Sequence, residues 1–380
     1  MIFPEGSTRK TSVKAASETT YDVVIVGSGI SGAIIANQLG QAGKRVLILE
    51  AGPADDHTIS GYDNYLQRFY GTTEKDNQSP YAENPNAAMP RSPRLKKIAE
   101  GETDDSNYVV QRGPFATDSV YTRVLGGTTM HWEAKTPRFL PEDFAMESRY
   151  SRGADWPLDN DEIEPYNRMA EHEFGVSGDV EEQRALGLRF PPDYVYPMYK
   201  MPHSWLDQKV DEGLKGMQVE LDGKSYDVRI RSFPQGRNGV PNPDYDGGKG
   251  FRPVGAVSTH QVDEGERCQG NNNCVPLCPV QAKYHAGRTL SKALQTGNVD
   301  ILAQAVASQV ITDPASGRVT GIEIKHYHDP DSPQHETATI SGRLFVLSAN
   351  AVENARLMLA PACTVRADSS ARISWTMPIY

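Results

Sequence analysis

A glycine-rich turn near the start of the chain constrains the fold more than any other feature. The sequence GSGISG at residues 27–32 follows an apolar run at residues 22–26 and opens residues 30–42, whose apolar positions recur with helical spacing. A second apolar run at residues 45–49 ends at Glu50. This order of strand, turn, helix, strand and acid predicts a βαβ unit, and hence a parallel sheet covered on both faces.

The same turn predicts nucleotide binding. Gly27 permits a tight turn, Gly29 lets the backbone approach a pyrophosphate, and Gly32 allows the helix to pack closely on the strand. The helix N-terminus then faces the phosphate charge, and Glu50 can accept the hydroxyl groups of a ribose. The alternative is a glycine turn of an unrelated α/β protein, but the complete order of elements favours dinucleotide binding. The sequence Glu-Ala-Gly that starts at Glu50 favours FAD over NAD, although physical arguments alone leave that choice open.

Composition narrows the class of protein. The 380 residues suffice for one large or two ordinary domains, and the net charge is -10. An acidic surface repels phosphate backbones, so we expect no nucleic-acid partner. The sequence contains no run of the roughly 20 apolar residues that a membrane span requires. Residues 1–20 lack the apolar core of a secretory signal and read as a disordered leader, which by itself indicates a cytoplasmic protein.

Three of the four cysteines lie close together, at Cys268, Cys274 and Cys278, with a proline after the last. A structural zinc ion needs four ligands, usually in closely spaced pairs. Three thiolates in a loop rich in glycine and asparagine instead favour a 3Fe–4S cluster. The alternatives are three reduced thiols in a turn, or a zinc site completed by His260 or His285.

A second glycine motif, RVLGGTTMHW, occupies residues 123–132. Read alone, its paired glycines predict a close approach of the backbone to another group, and a packed loop is an equal alternative. The motif resembles the glucose–methanol–choline (GMC) oxidoreductase family, and the similarity extends through residues 155–158, 164–166 and 348–351. It is most similar to the FAD-binding large subunits of bacterial membrane-associated dehydrogenases for glucose, gluconate, sorbitol or fructose.

This resemblance implies an FAD-dependent oxidoreductase that acts on CH–OH groups of sugars or polyols. In the family the Gly-Gly-Thr segment packs against the FAD pyrophosphate and the isoalloxazine ring. In several relatives a histidine at the position of His131 is bonded covalently to the flavin, which makes His131 the candidate attachment point. The residues expected to bind FAD are Gly27, Gly29, Ser31, Gly32, Glu50, Ala51, Gly126, Gly127, Thr128, Thr129, His131, Trp132, Val306 and Ala349.

The resemblance also implies an electron route and partner subunits. Electrons are expected to pass from FAD through a 3Fe–4S cluster to a multiheme cytochrome c subunit, with a small subunit that carries the export signal. These partners would place the protein at the periplasmic face of the inner membrane, and without them it would be cytoplasmic. The catalytic histidine pair of the family corresponds to positions beyond Tyr380, so no catalytic residue is assigned. The alternative function is an inactive, truncated fragment that at most binds FAD.

The predicted fold class is α/β. A discontinuous, Rossmann-like FAD-binding domain, with a parallel sheet and helices, comprises residues 21–140 and 285–362. Residues 141–284 form an insertion of irregular and α+β segments that carries the cysteine loop. Strand patterns return at residues 299–312. Residues 363–380 are expected to be an aberrant tail, and the substrate domain to be largely missing.

Overall fold

The structure is a computed structural model that describes residues 11–54, 123–253, 267–268, 270, 274, 278, 280, 282–329 and 332–359. The predicted tail at residues 363–380 lies outside these ranges. The strands are β1 (Tyr21–Val26), β2 (Val46–Leu49), β3 (Ser177–Gly178), β4 (Met198–Tyr199), β5 (Gln218–Leu221), β6 (Lys224–Asp227), β7 (Val299–Leu302), β8 (Ala305–Thr312), β9 (Val319–His326) and β10 (Glu336–Leu347). The α-helices of five or more residues are α1 (Val13–Ser17), α2 (Ile30–Gln41), α3 (Met146–Tyr150), α4 (Asn160–Phe174), α5 (Val180–Arg184), α6 (Trp205–Leu214), α7 (Ala286–Gln295) and α8 (Ala351–Leu359).

A six-stranded sheet in the order β7-β2-β1-β10-β9-β8 positions the candidate site. The pairs β7–β2, β2–β1 and β1–β10 are parallel, whereas β10–β9 and β9–β8 are antiparallel. The predicted βαβ unit is confirmed as β1, α2 and β2. The α/β fold class with a Rossmann-like, largely parallel core is therefore confirmed.

Strand β10 belongs to both parts of the sheet. Its first half pairs antiparallel with β9, from Glu336 to Ser341, and its second half pairs parallel with β1, from Gly342 to Leu347. The antiparallel β8–β9 hairpin is thereby attached to the nucleotide-binding core. The carboxyl ends of β1 and β10 lie side by side, and ligands of open α/β sheets bind at such ends.

Both faces of β1, β2 and β7 are buried, because successive side chains point to opposite faces and each face packs against other elements. Val23 and Ile25 of β1 pack in one apolar cluster with α2 and α7, through residues such as Ala36 and Leu290. Val24 of β1 packs on the other face, in a cluster that includes residues of α1, α8 and the antiparallel strands. Burial on both faces explains why the strands read as continuous apolar runs.

Two sequence predictions need correction. Residues 13–17 are not part of a disordered leader, because they form α1 and bury Val13 and Ala16 against the sheet. The strand pattern at residues 299–312 is not one strand, because the chain turns at Gln304, whose φ of 55° lies in the left-handed region. β7 joins the parallel edge beside β2, and β8 joins the antiparallel edge.

The region between the two parts of the core contains short helices around one longer helix. Helix α4 is capped at its N-terminus by Asp159, whose side chain accepts bonds from Asp161 N–H and Glu162 N–H. Its buried Glu171 forms a bidentate pair with Arg138, with both N–O distances at 2.7 Å. In the described part of the chain, no helix is long and apolar enough to cross a lipid bilayer.

Candidate functional site

The first glycine turn follows β1, and packing requires two of its three glycines. Gly27 has a φ of 99°, and a Cβ atom there would lie 2.6 Å from the carbonyl oxygen of Ser348. A Cβ atom on Gly32 would lie 2.1 Å from the carbonyl oxygen of Gly27. Gly29 differs, because a Cβ atom there would meet no atom within 4 Å. Gly29 therefore faces open space at the N-terminus of α2, where a ligand could approach the backbone.

Glu50 lies at the carboxyl end of β2 and is buried. Its carboxylate accepts bonds from Gly52 N–H at 2.7 Å and Ser28 N–H at 3.2 Å, and it also accepts the hydroxyl of Ser28. Burial raises the pKa of Glu50, and the bonds from Ser28 and Gly52 oppose that shift. Gly52 is itself in tight contact, since a Cβ atom there would lie 2.2 Å from the backbone of Arg123.

The second glycine turn lies directly against the first. Gly126 and Gly127 have φ values of 90° and 57°, and they lead into a 3-10 turn at Gly127–Met130. Gly126 N–H donates to the hydroxyl oxygen of Ser28 at 2.9 Å. A Cβ atom on Gly127 would lie 3.9 Å from the Cα atom of Gly29. The two motifs, remote in sequence, thus form one unit in which Ser28 links Gly126 to Glu50.

Thr129 fixes the second turn to helix α7. Its hydroxyl donates to the carbonyl oxygen of Gly126 at 2.5 Å and accepts from Ala286 N–H at 3.0 Å. The indole N–H of Trp132 donates to the carbonyl oxygen of Tyr284 at 2.8 Å, and its ring meets Phe174 edge-on. Because these contacts come from several elements, the turn is held in a defined position.

The two turns and the ends of β1, β2, β8 and β10 enclose a cleft of about 360 Å³. Three predicted FAD residues, Gly32, Gly126 and His131, do not line it, and His131 is buried beside the second turn. The other eleven of the fourteen predicted residues line the cleft: Gly27, Gly29, Ser31, Glu50, Ala51, Gly127, Thr128, Thr129, Trp132, Val306 and Ala349.

Sequence reasoning missed several groups at the cleft. Arg123 and Arg356 bring positive charge to its lining. The guanidinium of Arg356 donates to the carbonyl oxygen of Ala307 at 2.9 Å and pairs with Glu353 at 2.8 Å. Ser28 carries the link between the turns. Ser28 and Arg123 lie inside the two glycine motifs and Arg356 stands in no distinctive pattern, and only the folded chain shows that all three line the cleft.

A larger groove of about 1050 Å³ lies elsewhere, between α2, α4 and the loop at residues 191–195. It contains none of the residues predicted to bind a cofactor. We therefore place the candidate site in the smaller cleft, where the glycine turns meet.

Lys283 links the cysteine loop to the second glycine motif, because its ammonium group donates to backbone carbonyl oxygens of both segments. Cys278 is buried, Cys268 and Cys274 are partly buried, and in the described part of the chain the three form no disulfide. Burial raises the pKa of the Cys274 thiol, whereas the charges of Arg237 and Lys283 lower it. Among the described residues, no group of three or more His, Cys, Asp or Glu converges on a position for a metal ion.

The donors nevertheless fit the chemistry of an iron–sulfur cluster. Thiolates are the ligands that such clusters prefer, and in a cluster each cysteine binds a different iron, so the sulfurs need not converge on one ion. Two buried basic residues, Lys283 and Arg288, lie near these cysteines. Burial lowers the pKa of Lys283 to about 8 and that of Arg288 to about 10, and the charge of Cys278 opposes both shifts.

Known proteins match the chain in the regions that build this site. Residues 25–54 match an NAD(P)-binding Rossmann-like domain. The fructose dehydrogenase large subunit of Gluconobacter japonicus is 33% identical over 341 residues, which are 89% of this chain and 54% of that protein. A 2-methyl-1,2-propanediol dehydrogenase of Mycolicibacterium austroafricanum is 29% identical over 161 residues, 42% of this chain and 25% of that protein. The chain thus spans about half the length of the first relative and a quarter of the second.

A solved structure, pyridoxine 4-oxidase from Mesorbium loti, aligns with 89% of this chain and 51% of its own, with 17% identity and a TM-score of 0.45. The family assignment depends on sequence instead. Residues 249–364 match the GMC oxidoreductase family, and the match to the fructose dehydrogenase large subunit covers 89% of the chain. Residues 249–364 therefore belong to the GMC oxidoreductase family, and the chain as a whole is similar to a dehydrogenase subunit over 89% of its length.

Proposed function

We propose that this chain is the FAD-binding part of a dehydrogenase that oxidises CH–OH groups of sugars or polyols. The observation that carries the proposal is the cleft, in which two glycine turns remote in sequence meet and both contribute to the lining. The relative that is 33% identical is a fructose dehydrogenase large subunit, which supports a sugar or polyol as substrate.

Different residues of the cleft would bind different parts of FAD. The open backbone at Gly29 and the N-terminus of α2 would receive the pyrophosphate. Each carboxylate oxygen has two lone pairs, so Glu50 can accept a ribose hydroxyl in addition to its bonds from Ser28 and Gly52. The second turn, with Thr128 and Trp132, would contact the isoalloxazine ring.

FAD, when bound, would supply the redox chemistry for oxidation of a CH–OH group to a carbonyl, which needs an acceptor for a hydride and a separate base for the hydroxyl proton. The chain's own contribution at this site is orientation and exclusion of water. Thr129 and Ala286 hold the second turn against α7, so the wall that faces the ring is fixed before the cofactor binds.

The proposal includes a path for electrons out of the site. A 3Fe–4S cluster on Cys268, Cys274 and Cys278 would take them singly and pass them to a cytochrome c subunit. The thiol donor set and the buried cations Lys283 and Arg288 support the cluster. The cytochrome, a small export subunit and a periplasmic location rest on the resemblance to membrane-associated dehydrogenases.

Gly29→Leu tests the cofactor site. The φ of Gly29 is -65°, which any residue adopts, and a Cβ atom there meets no protein atom within 4 Å. The leucine side chain would therefore occupy the cleft without disturbing the packed core. We expect unchanged thermal stability of the cofactor-free protein and loss of measurable FAD binding in a fluorescence titration.

Gly213→Leu is the matched control, because Gly213 in α6 also has no atom within 4 Å of a built Cβ and lies outside the cleft. It should bind FAD like the unaltered chain. Normal FAD affinity in Gly29→Leu would contradict the assignment of the cleft.

Two further measurements test the chemistry. If the chain itself supplies the base that the reaction needs, anaerobic mixing of the FAD-loaded chain with fructose, glucose, gluconate or sorbitol will bleach the flavin absorption band. Bound FAD that none of these compounds reduces would favour the alternative of FAD binding without turnover. Covalent attachment is tested by acid precipitation: a bond through His131 would leave yellow colour in the pellet, and His131→Ala would remove that colour.

A further inference from the structure

Lys283 has an unusual environment for a lysine. Its side chain is buried, and its ammonium group donates to three backbone carbonyl oxygens: those of Trp132 at 2.6 Å, Cys274 at 2.7 Å and Met130 at 3.3 Å. These bonds use all three donors of the group. Among the described residues, no carboxylate forms an ion pair with it.

The three acceptors belong to the two segments on which the proposed function depends. Met130 and Trp132 end the second glycine turn, which lines the cleft. Cys274 is the middle cysteine of the loop. A single cation therefore joins the backbone beside the proposed flavin to the backbone beside the proposed cluster. Arg288, which is also buried, supports the arrangement by donating to the carbonyl oxygen of Lys283 at 3.0 Å.

Burying a cation without a carboxylate partner costs free energy unless another group compensates for it. Carbonyl dipoles offset part of that cost at Lys283. An anion beside it would offset more, and the nearby Cys274 and Cys278 act on Lys283 as such charges when they are thiolates. A cluster held by three thiolates provides a lasting negative charge at this position.

We propose that Lys283 is a positioning residue that fastens the cysteine loop to the second glycine turn and raises the reduction potential of the iron–sulfur cluster bound there. The inference rests on the proposed function for the existence of the cluster. The effect on the potential follows because a fixed positive charge in a medium of low dielectric favours the reduced, more negative cluster. The positioning role follows from the three bonds alone.

The test uses the full chain, loaded with FAD and with a cluster reconstituted from iron and sulfide. Lys283→Met removes the charge and the donors but retains the length of the side chain, and Lys283→Arg retains the charge. Lys249→Met is the control, because Lys249 is exposed and pairs only with Asp246 in the described structure. The midpoint potential is measured by a redox titration followed by electron paramagnetic resonance.

We expect a more negative potential in Lys283→Met, recovery toward the original value in Lys283→Arg, and no change in Lys249→Met. An unchanged potential in Lys283→Met overturns the electrostatic role. Hydrogen exchange in the cluster-free protein measures the positioning role separately. Residues 126–132 and the cysteine loop should both exchange faster in Lys283→Met, and unchanged exchange at residues 126–132 overturns that role.

The two measurements also distinguish this inference from the proposed function. If the unaltered chain takes up no cluster, the electron route and the effect on its potential both fail. The exchange comparison still decides whether Lys283 joins the two segments. If the cluster forms and only the variant results disagree with expectation, the proposed function stands and the role of Lys283 falls.

Discussion

Removing the Ser28 hydroxyl should loosen the junction between the two glycine turns. Ser28 is fully buried, donates to the carboxylate of Glu50 and accepts from Gly126 N–H at 2.9 Å. Ser28→Ala loses one hydrogen bond to a charged group, worth about 1.5–3 kcal/mol, and leaves a buried N–H unsatisfied at a cost of about 1–3 kcal/mol. Because neighbouring groups relax, we expect unfolding to become easier by about 2–4 kcal/mol.

The same change should weaken FAD binding, because the cofactor must then order two turns that the protein no longer holds together. If about 1.4 kcal/mol of the loss falls on binding, the Kd rises tenfold. Stability is measured by urea denaturation of the cofactor-free protein, and affinity by quenching of flavin fluorescence.

Ser232→Ala is the matched control, since the buried Ser232 donates to Glu182 at 2.5 Å in the inserted region, away from the cleft. It should lose stability but keep its affinity for FAD. Ser28→Ala with the original Kd and a stability loss below about 1 kcal/mol would refute the reasoning.

Three other changes test the packing and charges of the fold. Gly32→Ala places a Cβ atom 2.1 Å from the Gly27 carbonyl oxygen and should abolish FAD binding in the titration. In Gly213→Ala the added Cβ atom meets no atom within 4 Å, so this variant should be neutral or stabilise α6 by up to about 1 kcal/mol. Burial raises the pKa of Glu50, so the contribution of this side chain to the free energy of unfolding is full below its ordinary pKa of 4.5 and is lost as the pH rises through the raised pKa. Denaturation at a series of pH values should show this decline in stability. Glu50→Gln should remove the decline. Arg138→Met leaves Glu171 buried without its bidentate partner and should lower the free energy of unfolding by about 3–5 kcal/mol. Loss of the exposed Arg149–Glu142 pair should lower it by at most about 1 kcal/mol. Equal losses of stability would contradict the argument.

Local patterns predicted the nucleotide-binding core because its elements follow one another in the chain. The apolar runs, the glycine turn and Glu50 lie within one βαβ unit, so periodicity and turn chemistry suffice to place them. Helix α1 escaped prediction because five residues are too short to show a helical period. Its one local signal is Ser12, whose side chain accepts from Ala15 N–H.

Contacts between remote segments could not be predicted from the sequence. The two halves of β10 pair with different strands, and no pattern within the strand marks the change of partner at Gly342. Ser28 lies in the first glycine motif and Lys283 has ordinary neighbours in sequence, but only the fold brings these residues to Gly126 and Trp132. The second glycine motif was identified by its resemblance to a family, since its residues alone were equally compatible with a packed loop.

The central claim is that one FAD molecule contacts both glycine turns in a single cleft. Hydrogen exchange of the chain with saturating FAD, compared with ADP, tests it most directly, because ADP carries the nucleotide half of the ligand without the flavin. We predict that ADP protects residues 27–32 alone, and that FAD protects these residues and residues 126–132 together. Equal protection by the two ligands, with residues 126–132 unaffected, would contradict the claim.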